Sequence, residues 1–149
     1  MNLKLNNSQI EKFSRQIILK NVGTEGQKRI IHSKVLIIGM GGLGCPVAEF
    51  LTRAGVGALG IVDSDSVDLS NLHRQSLYDS QDLKKSKVHT AKKKLKKINS
   101  ETKIDCYKIR LNKKNFSKII NKYDYIVDGS DNFKTKFLIN DFCKVSKNF

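Results

Sequence analysis

The sequence has 149 residues, 39% of them hydrophobic, and a formal net charge of +14. This size and composition are typical of one globular domain with a core, and they disfavour intrinsic disorder. No apolar run approaches the roughly 20 residues that cross a bilayer, and the N-terminal "MNLKLNNSQIEKF" lacks the apolar stretch of a secretory signal. We therefore expect a cytoplasmic protein with no membrane partner.

The three cysteines, Cys45, Cys106 and Cys143, are widely spaced and form no CxxC pair. An odd number of cysteines at such spacing predicts free thiols. Neither a disulfide framework nor a structural zinc site is expected in this chain.

The positive charge is concentrated in "KKSKVHTAKKKLKKINS" at 84–100, where Val88, Ala91, Leu95 and Ile98 recur at helical spacing. This pattern predicts an amphipathic helix whose lysines form the solvated face, although selected lysines could instead bind phosphate. No aromatic residues alternate with the lysines, so a nucleic-acid partner is not favoured. An acidic protein partner would be attracted.

Along the chain, two helices are predicted first, at Ser8–Lys20 and Glu25–His32, and they make residues 1–33 a helical segment. Ser8 and Glu11 have the spacing of a capping box that would start the first helix. From residue 34 to 149, strands alternate with helices. The predicted strands are Lys34–Ile38, Ala58–Asp63, Lys103–Leu111 and Asp124–Asp128, and the predicted helices are Leu43–Ala54, Lys85–Ile98, Asn115–Asn121 and Phe133–Lys144.

This alternation predicts an α/β fold of the Rossmann type, with a mostly parallel sheet in the order 3-2-1-4 and helices on both faces. The N-terminal helices add no second core, so the chain is effectively one domain. A doubly wound sheet would continue with a further strand after the last helix, which leads us to expect a truncated or partial chain.

The stretch "VLIIGMGGLGCPVAEF" places Gly39, Gly41 and Gly44 in the spacing G-x-G-x-x-G between a strand and a helix. Glycines at Gly39–Gly42 let a phosphate approach the backbone, and the helix start directs N–H groups towards the anion. The alternative is a tight turn that binds nothing. Taken alone, the motif favours NAD or FAD.

Asp63 ends the second predicted strand, where an acidic residue can accept hydrogen bonds from ribose hydroxyls. Asp65 and Asp68 are consistent with simple turn residues.

The loop "DLSNLHRQSLY" at 68–78 offers Ser70, Asn71, Arg74 and Gln75 at the carboxyl end of the second strand. Arg74 can direct two hydrogen bonds at phosphate and Asn71 adds a neutral donor, a pair that suits a triphosphate better than a nicotinamide. Lys87 could add a mobile cation, or it is one more surface lysine.

The segment "YIVDGSDNF" at 125–133 carries Asp128, Asp131 and Asn132 after the fourth strand. Carboxylates at this position can hold Mg²⁺ that bridges to phosphates. Alternatively, Asp131 or Asn132 caps the last helix.

Taken together, "FSRQIIL", "GMGGLGCPVAEFLTRAGVG", "VDSDSVDLSNLHRQ", Lys87 and "DGSDNF" resemble the MoeB/ThiF/HesA family in their order and spacing, over about residues 11–143. Members of this family resemble the adenylation domains of ubiquitin-activating enzymes. They activate sulfur-carrier proteins for molybdopterin or thiamine synthesis.

The resemblance implies ATP-dependent adenylation of the C-terminal glycine carboxylate of a ubiquitin-like carrier. It implies ATP contacts at Gly39, Gly41, Gly42, Gly44, Asp63, Ser70, Asn71, Leu72, His73, Arg74, Lys87, Asp131 and Asn132. It further implies catalytic roles for Arg15, Arg74, Lys87 and Asp131, with Asp131 holding Mg²⁺.

In the family pattern Arg15 reaches the phosphates of a neighbouring subunit, which implies a homodimer. Full-length members continue with a carrier-binding region and CxxC zinc sites that this chain does not encode. A dinucleotide-binding oxidoreductase domain and a non-catalytic binding module remain the alternative functions. The sequence does not choose a carrier or a pathway.

Overall fold

The computed structural model describes residues 4–146, with side chains through Lys144. Residues 1–3 of the predicted N-terminal helical segment and residues 147–149 of the predicted Rossmann-like segment lie outside the described residues. The elements in chain order are α1 (Asn7–Lys12), α2 (Ser14–Ile17), α3 (Gly23–His32), β1 (Lys34–Ile38), α4 (Gly44–Ala54), β2 (Ala58–Val62), α5 (Lys87–Ile98), β3 (Lys103–Tyr107), α6 (Lys113–Ile120), β4 (Tyr125–Asp128) and α7 (Phe133–Ser146).

The four strands form one parallel sheet in the predicted order β3-β2-β1-β4. The register pairs Ile38 of β1 with Val62 of β2 and with Asp128 of β4. Val62 in turn pairs with Tyr107 of β3. The carboxyl ends of all four strands therefore lie at one level, and the loops that follow them meet at a single edge of the sheet.

Helices cover both faces of the sheet because successive residues of a strand point to opposite sides. On one face, Val35 and Ile37 pack with side chains of α4 and α5. On the other face, Leu36 and Ile38 pack with side chains of α6 and α7. Each of these four side chains is at most 4% exposed, so β1 is anchored from both sides beneath the loop that follows it.

The N-terminal helix differs from its prediction at its start. The capping box is formed by Asn6 and Gln9, each of whose side chains accepts a hydrogen bond from the other's backbone N–H. The predicted pairing of Ser8 with Glu11 is therefore wrong. Asn6 is as good a cap as serine, and it lies two residues before Ser8 in the chain.

The single helix predicted over Ser8–Lys20 is also wrong, because Phe13 separates α1 from α2. The Phe13 ring is 2% exposed and packs against Gly55, where a Cβ would lie 2.4 Å from a ring carbon. Burying this ring requires the chain to turn, and the backbone of Phe13 leaves the helical region.

Several other boundaries shift by one to four residues; α6, for example, spans Lys113–Ile120 instead of Asn115–Asn121. Helix α3 begins at Gly23, two residues before its prediction, and β2 ends at Val62 instead of Asp63. Strand β3 ends at Tyr107 instead of Leu111, since its partner β2 has no residue left to pair with it. Residues 108–111 consequently belong to a loop at the edge where the strands end.

The lysine-rich segment forms α5, and Val88, Ala91 and Leu95 are fully buried on one side of it. Of the eight lysines at 84–100, five are exposed and two are half-buried, which confirms the predicted amphipathic helix. Lys87 is the exception, because it is buried at the first turn.

Candidate functional site

A cavity of about 710 Å³ opens at the edge of the sheet where the strands end. Its walls are the loops that follow all four strands together with the start of α5. This volume falls in the range of small-molecule sites, roughly 300–1000 Å³. Nine residues predicted for a nucleotide site line it: Gly39, Gly41, Gly42, Asp63, Asn71, Arg74, Lys87, Asp131 and Asn132.

Five predicted residues do not line this cavity. Arg15 is exposed on α2, and Ser70 and His73 are exposed on the loop after β2. Leu72 packs against the core beneath that loop. Gly44 is buried at the start of α4.

Two glycines of the turn after β1 are required by the fold itself. Gly39 has a φ of +90°, and a Cβ there would lie 2.6 Å from the carbonyl oxygen of Gly129. A Cβ at Gly44 would lie 1.8 Å from the carbonyl oxygen of Gly39. These glycines allow close approach of backbone to backbone, whether or not a ligand binds.

The other two glycines have no such reason within the chain. The nearest atom to a Cβ at Gly41 would be Gln75 Nε2 at 3.7 Å, and a Cβ at Gly42 would meet Arg74 Cγ at 3.5 Å. Both are ordinary van der Waals distances, and neither glycine has a positive φ. Their lack of side chains instead leaves the backbone open towards the cavity, at the N-terminus of α4, where an anion is favoured.

Asp63 joins the glycine turn to the end of β2. One of its carboxylate oxygens accepts a hydrogen bond from the Met40 N–H at 2.8 Å, and the other accepts one from the Asp65 N–H at 2.8 Å. A carboxylate can accept about four hydrogen bonds, so capacity remains for ligand hydroxyls. Asp63 therefore fixes the turn in place and still lines the cavity.

Arg74 presents a fork of donors beside the glycine turn. Its Nη1 atom donates to the Ser70 carbonyl oxygen at 3.1 Å and lies 3.4 Å from His73 Nε2. Its Nε and Nη2 groups have no acceptor within the part of the chain that the structure describes. A planar fork of this kind matches the oxygens of a phosphate or a carboxylate.

Lys87 brings a second positive charge to the cavity. Its side chain is 7% exposed, and its ammonium lies 3.6 Å from a carboxylate oxygen of Asp65. This is an ion pair without a hydrogen bond. Lys87 also stands at the N-terminal end of α5, where the helix dipole disfavours a cation. An anion in the cavity would give Lys87 a closer ionic partner and would offset the unfavourable interaction of its charge with the helix dipole.

Buried polar groups hold the glycine turn against α5. The Tyr78 hydroxyl donates to the Met40 carbonyl oxygen at 3.0 Å and lies 3.4 Å from the Lys87 carbonyl oxygen. The Cys45 thiol donates to the same Met40 oxygen at 3.4 Å. Burial raises the pKa of both Tyr78 and Cys45, so both stay protonated near neutral pH. Cys45 is thus a packing residue.

Asp128 at the end of β4 and Asp131 in the loop after it have different surroundings. Asp128 accepts hydrogen bonds from the backbone and hydroxyl of Ser130, and it lies 3.3 Å from the Lys136 ammonium. Asn132 caps α7 by accepting a hydrogen bond from the Thr135 N–H at 2.9 Å. Asp131 is exposed, lines the cavity and has no partner among the described side chains.

Several cavity residues were outside the predicted site. Ile109, Arg110 and Leu111 line the wall after β3, a stretch that the sequence assigns to the strand itself. Asp65, predicted as a turn residue, is the ionic partner of Lys87. Gln75, noted only as a polar loop residue, is 3% exposed and lines the cavity. Their common signal is that each follows the carboxyl end of a strand.

None of the helices within the described residues has the length and apolarity needed to cross a bilayer. No group of three or more His, Cys, Asp or Glu side chains in that part of the chain could hold a metal ion.

Known proteins share both sequence and fold with this chain. It is 44% identical to the sulfur carrier protein adenylyltransferase of Thermus thermophilus over 133 residues, 89% of this chain and 49% of that protein. It is 44% identical to the adenylyltransferase and sulfurtransferase MOCS3 of Drosophila willistoni over 142 residues, 95% of this chain and 31% of that protein. The chain therefore spans about half the Thermus relative and about a third of the Drosophila one.

The crystal structure of the Escherichia coli tRNA N6-threonylcarbamoyladenosine dehydratase TcdA in complex with ATP has the same fold. Its TM-score is 0.90 at 21% identity, with 98% of this chain and 60% of that chain covered. The model of the ThiF family matches residues 13–148, which include the glycine turn, the loop after β2 and the loop after β4. The chain belongs to the ThiF family.

Proposed function

We propose that this chain is the ATP-binding part of an enzyme that adenylates the C-terminal carboxylate of a ubiquitin-like sulfur-carrier protein. The observation that carries the proposal is the convergence of Gly41, Gly42, Arg74 and Lys87 on one cavity. Open backbone N–H groups at a helix start and two cations together suit a triphosphate. A dinucleotide's pyrophosphate needs less positive charge.

In this proposal the nucleotide would lie across the ends of the strands. Asp63 would accept hydrogen bonds from the ribose hydroxyls, and the phosphates would lie over Gly41 and Gly42. Arg74 and Lys87 would each gain an anionic partner. The loop after β3, the strand next to β2, offers apolar contacts in the cavity from Ile109 and Leu111.

The residues present fit a Mg²⁺ ion. Mg²⁺ usually takes one or two carboxylates and completes its shell with waters and substrate phosphates. Asp131 offers such a carboxylate, since it is exposed on the cavity wall, whereas Asp128 is engaged by Ser130 and Lys136. When bound, Mg²⁺ would neutralise phosphate charge.

The proposed reaction joins a carboxylate oxygen of the carrier to the α-phosphorus of ATP. The bond between that phosphorus and the bridging oxygen to the β-phosphate breaks, and pyrophosphate leaves. A carboxylate is already a nucleophile, so no general base is needed. The chain's task is to align the reactants and to stabilise the developing charge with Arg74 and Lys87.

No histidine or cysteine is among the described residues that line the cavity, which agrees with this chemistry. His73 is exposed and does not line the cavity. The Cys45 thiol is buried and hydrogen-bonded, and burial raises its pKa. Neither group is suited to covalent catalysis.

We further propose a homodimer in which Arg15 serves the partner's cavity. Arg15 is exposed on α2 and does not line the cavity of its own chain. Leu43, just before α4, and Phe50, within it, are 66% and 68% exposed, and Leu43 lines the cavity. Such exposed apolar side chains are consistent with a protein interface on this part of the surface.

The test is ATP–pyrophosphate exchange in the presence of a ubiquitin-like carrier that ends in glycine. Exchange that depends on the carrier, together with a carrier-adenylate detected by mass spectrometry, is the expected result. A carrier lacking its last glycine is the matched control and should give no exchange. ATP binding without exchange would overturn the adenylation step and favour a non-catalytic nucleotide-binding module.

A further inference from the structure

Four side chains of the loop after β2 form a continuous chain of hydrogen bonds. Asp68 Oδ1 accepts from the Ser70 hydroxyl at 2.7 Å and from the Ser70 N–H at 2.9 Å. Asn71 Nδ2 donates to Ser70 Oγ at 2.8 Å. Gln75 Nε2 then donates to Asn71 Oδ1 at 2.7 Å. The chain ends at the cavity, which Asn71 and Gln75 line.

The direction of every bond in this chain follows from Asp68. Hydrogen bonds from Ser70 hold the pKa of Asp68 below its ordinary value, so its carboxylate accepts and cannot donate. The only hydroxyl hydrogen of Ser70 is therefore used, and its oxygen must accept from Asn71. The Asn71 oxygen must then face Gln75, and only the Gln75 amide nitrogen can satisfy it.

Gln75 is buried in a way that its packing alone does not explain. It is 3% exposed, and its Oε1 atom has no hydrogen-bond partner among the described residues. An apolar side chain of similar volume would avoid burying an unpaired oxygen. The one hydrogen bond of its side chain among the described residues, from Nε2 to Asn71 Oδ1, secures the Asn71 orientation that Ser70 favours and leaves the second Nδ2 hydrogen of Asn71 available.

We propose that Gln75 is a positioning residue that orients Asn71 to donate its second Nδ2 hydrogen to a nucleotide phosphate. That hydrogen has no acceptor in the part of the chain that the structure describes. The inference rests on the proposed function, since it assumes a phosphate in the cavity. Gln75 itself acts through Asn71 and need not touch the ligand.

The test compares Gln75→Met, Asn71→Ala and the double variant with the unsubstituted chain. Gln81→Met is the matched control, because Gln81 is exposed on the same connection and does not line the cavity. Affinity for ATP is measured by calorimetry, affinity for adenosine by ligand-observed NMR, and folding by thermal unfolding. Gln75→Leu provides a second apolar replacement if Gln75→Met does not fold.

We expect Gln75→Met to weaken ATP binding by about three- to tenfold, the cost of ordering one freed side chain. Adenosine binding and the unfolding temperature should not fall. In the Asn71→Ala background, Gln75→Met should cause no further loss of ATP affinity, because the Asn71 amide that Gln75 positions is no longer there.

Equal weakening of ATP and adenosine would overturn the inference, since it would indicate a merely structural role. An unchanged ATP affinity in Gln75→Met, or the same loss in the Asn71→Ala background, would also overturn it while leaving the proposed function standing. Failure of the unsubstituted chain to bind ATP would overturn both.

Discussion

Replacing Gly41 and Gly44 by alanine separates ligand binding from folding within one turn. At Gly41 the new methyl group would have no atom closer than Gln75 Nε2 at 3.7 Å, and φ is not positive. Gly41→Ala should therefore leave stability unchanged or raise it by about 0.4–1 kcal/mol. ATP affinity should fall by roughly 10- to 150-fold, the loss of one charge-assisted hydrogen bond of about 1.5–3 kcal/mol.

Gly44→Ala should do the opposite. Its methyl group would lie 1.8 Å from the Gly39 carbonyl oxygen, a backbone atom that cannot rotate away. Overpacking of this kind costs about 1–3 kcal/mol or more, which lowers the unfolding temperature of a domain of this size by about 3–10 °C.

Thermal unfolding without ligand and calorimetric titration with ATP and Mg²⁺ measure the two effects separately. Gly42→Ala is a second open position, where the methyl group would meet Arg74 Cγ at 3.5 Å. If Gly41→Ala bound ATP as tightly as the unsubstituted chain, the glycine turn would have no part in binding the nucleotide. Its two open glycines would then require another explanation.

Other predictions concern charge. Lys87→Met should weaken ATP binding by about 10- to 150-fold with little loss of stability, because it removes a buried cation whose partner, Asp65, is 67% exposed; unfolding of the variant would refute this. Mixing Arg15→Ala with Lys87→Met protein should restore exchange, since a mixed dimer has one intact site, and two inactive homodimers that stay inactive on mixing would exclude shared sites. A hydrogen bond from Lys94 lowers the pKa of Asp79 below 3.8, so the stability it contributes is complete above that value and is lost as pH falls through the folded pKa. Lys94→Met should raise the pKa of Asp79 towards 3.8 in a carboxyl NMR titration.

Much of the fold was predictable because its signals are local. β1 was predicted with its observed bounds, since Val35–Ile38 is a continuous apolar run that only a strand buried on both faces requires. The order of the sheet followed from the alternation of strands and helices and from right-handed crossovers.

The errors arise where tertiary packing decides. Phe13 breaks the first helix because its ring must reach Gly55, a residue 42 positions away that no local pattern links to it. β3 stops at Tyr107 because its neighbour β2 ends, although the apolar alternation continues to Leu111. That four-residue error removed Arg110 and its neighbours from the predicted site.

The burial of individual side chains was equally hard to predict from the sequence. Lys87 belongs to a run of lysines that the local sequence does not tell apart. Only its place in the first turn of α5, facing Asp65, distinguishes it from the exposed ones. Asn132 was weighed as either a cap or a ligand, and it caps α7 while also lining the cavity. The sequence alone does not show that one side chain both caps a helix and lines a cavity.

The nucleotide preference of the cavity can be measured by titrating the chain with ATP and Mg²⁺ in a calorimeter and repeating the titration with NADH present. Binding of one ATP per cavity, weakened in Gly41→Ala and unaffected by NADH, is the result that our account predicts. Tight NADH binding with no competition from ATP would contradict it and would favour a dinucleotide-binding oxidoreductase domain.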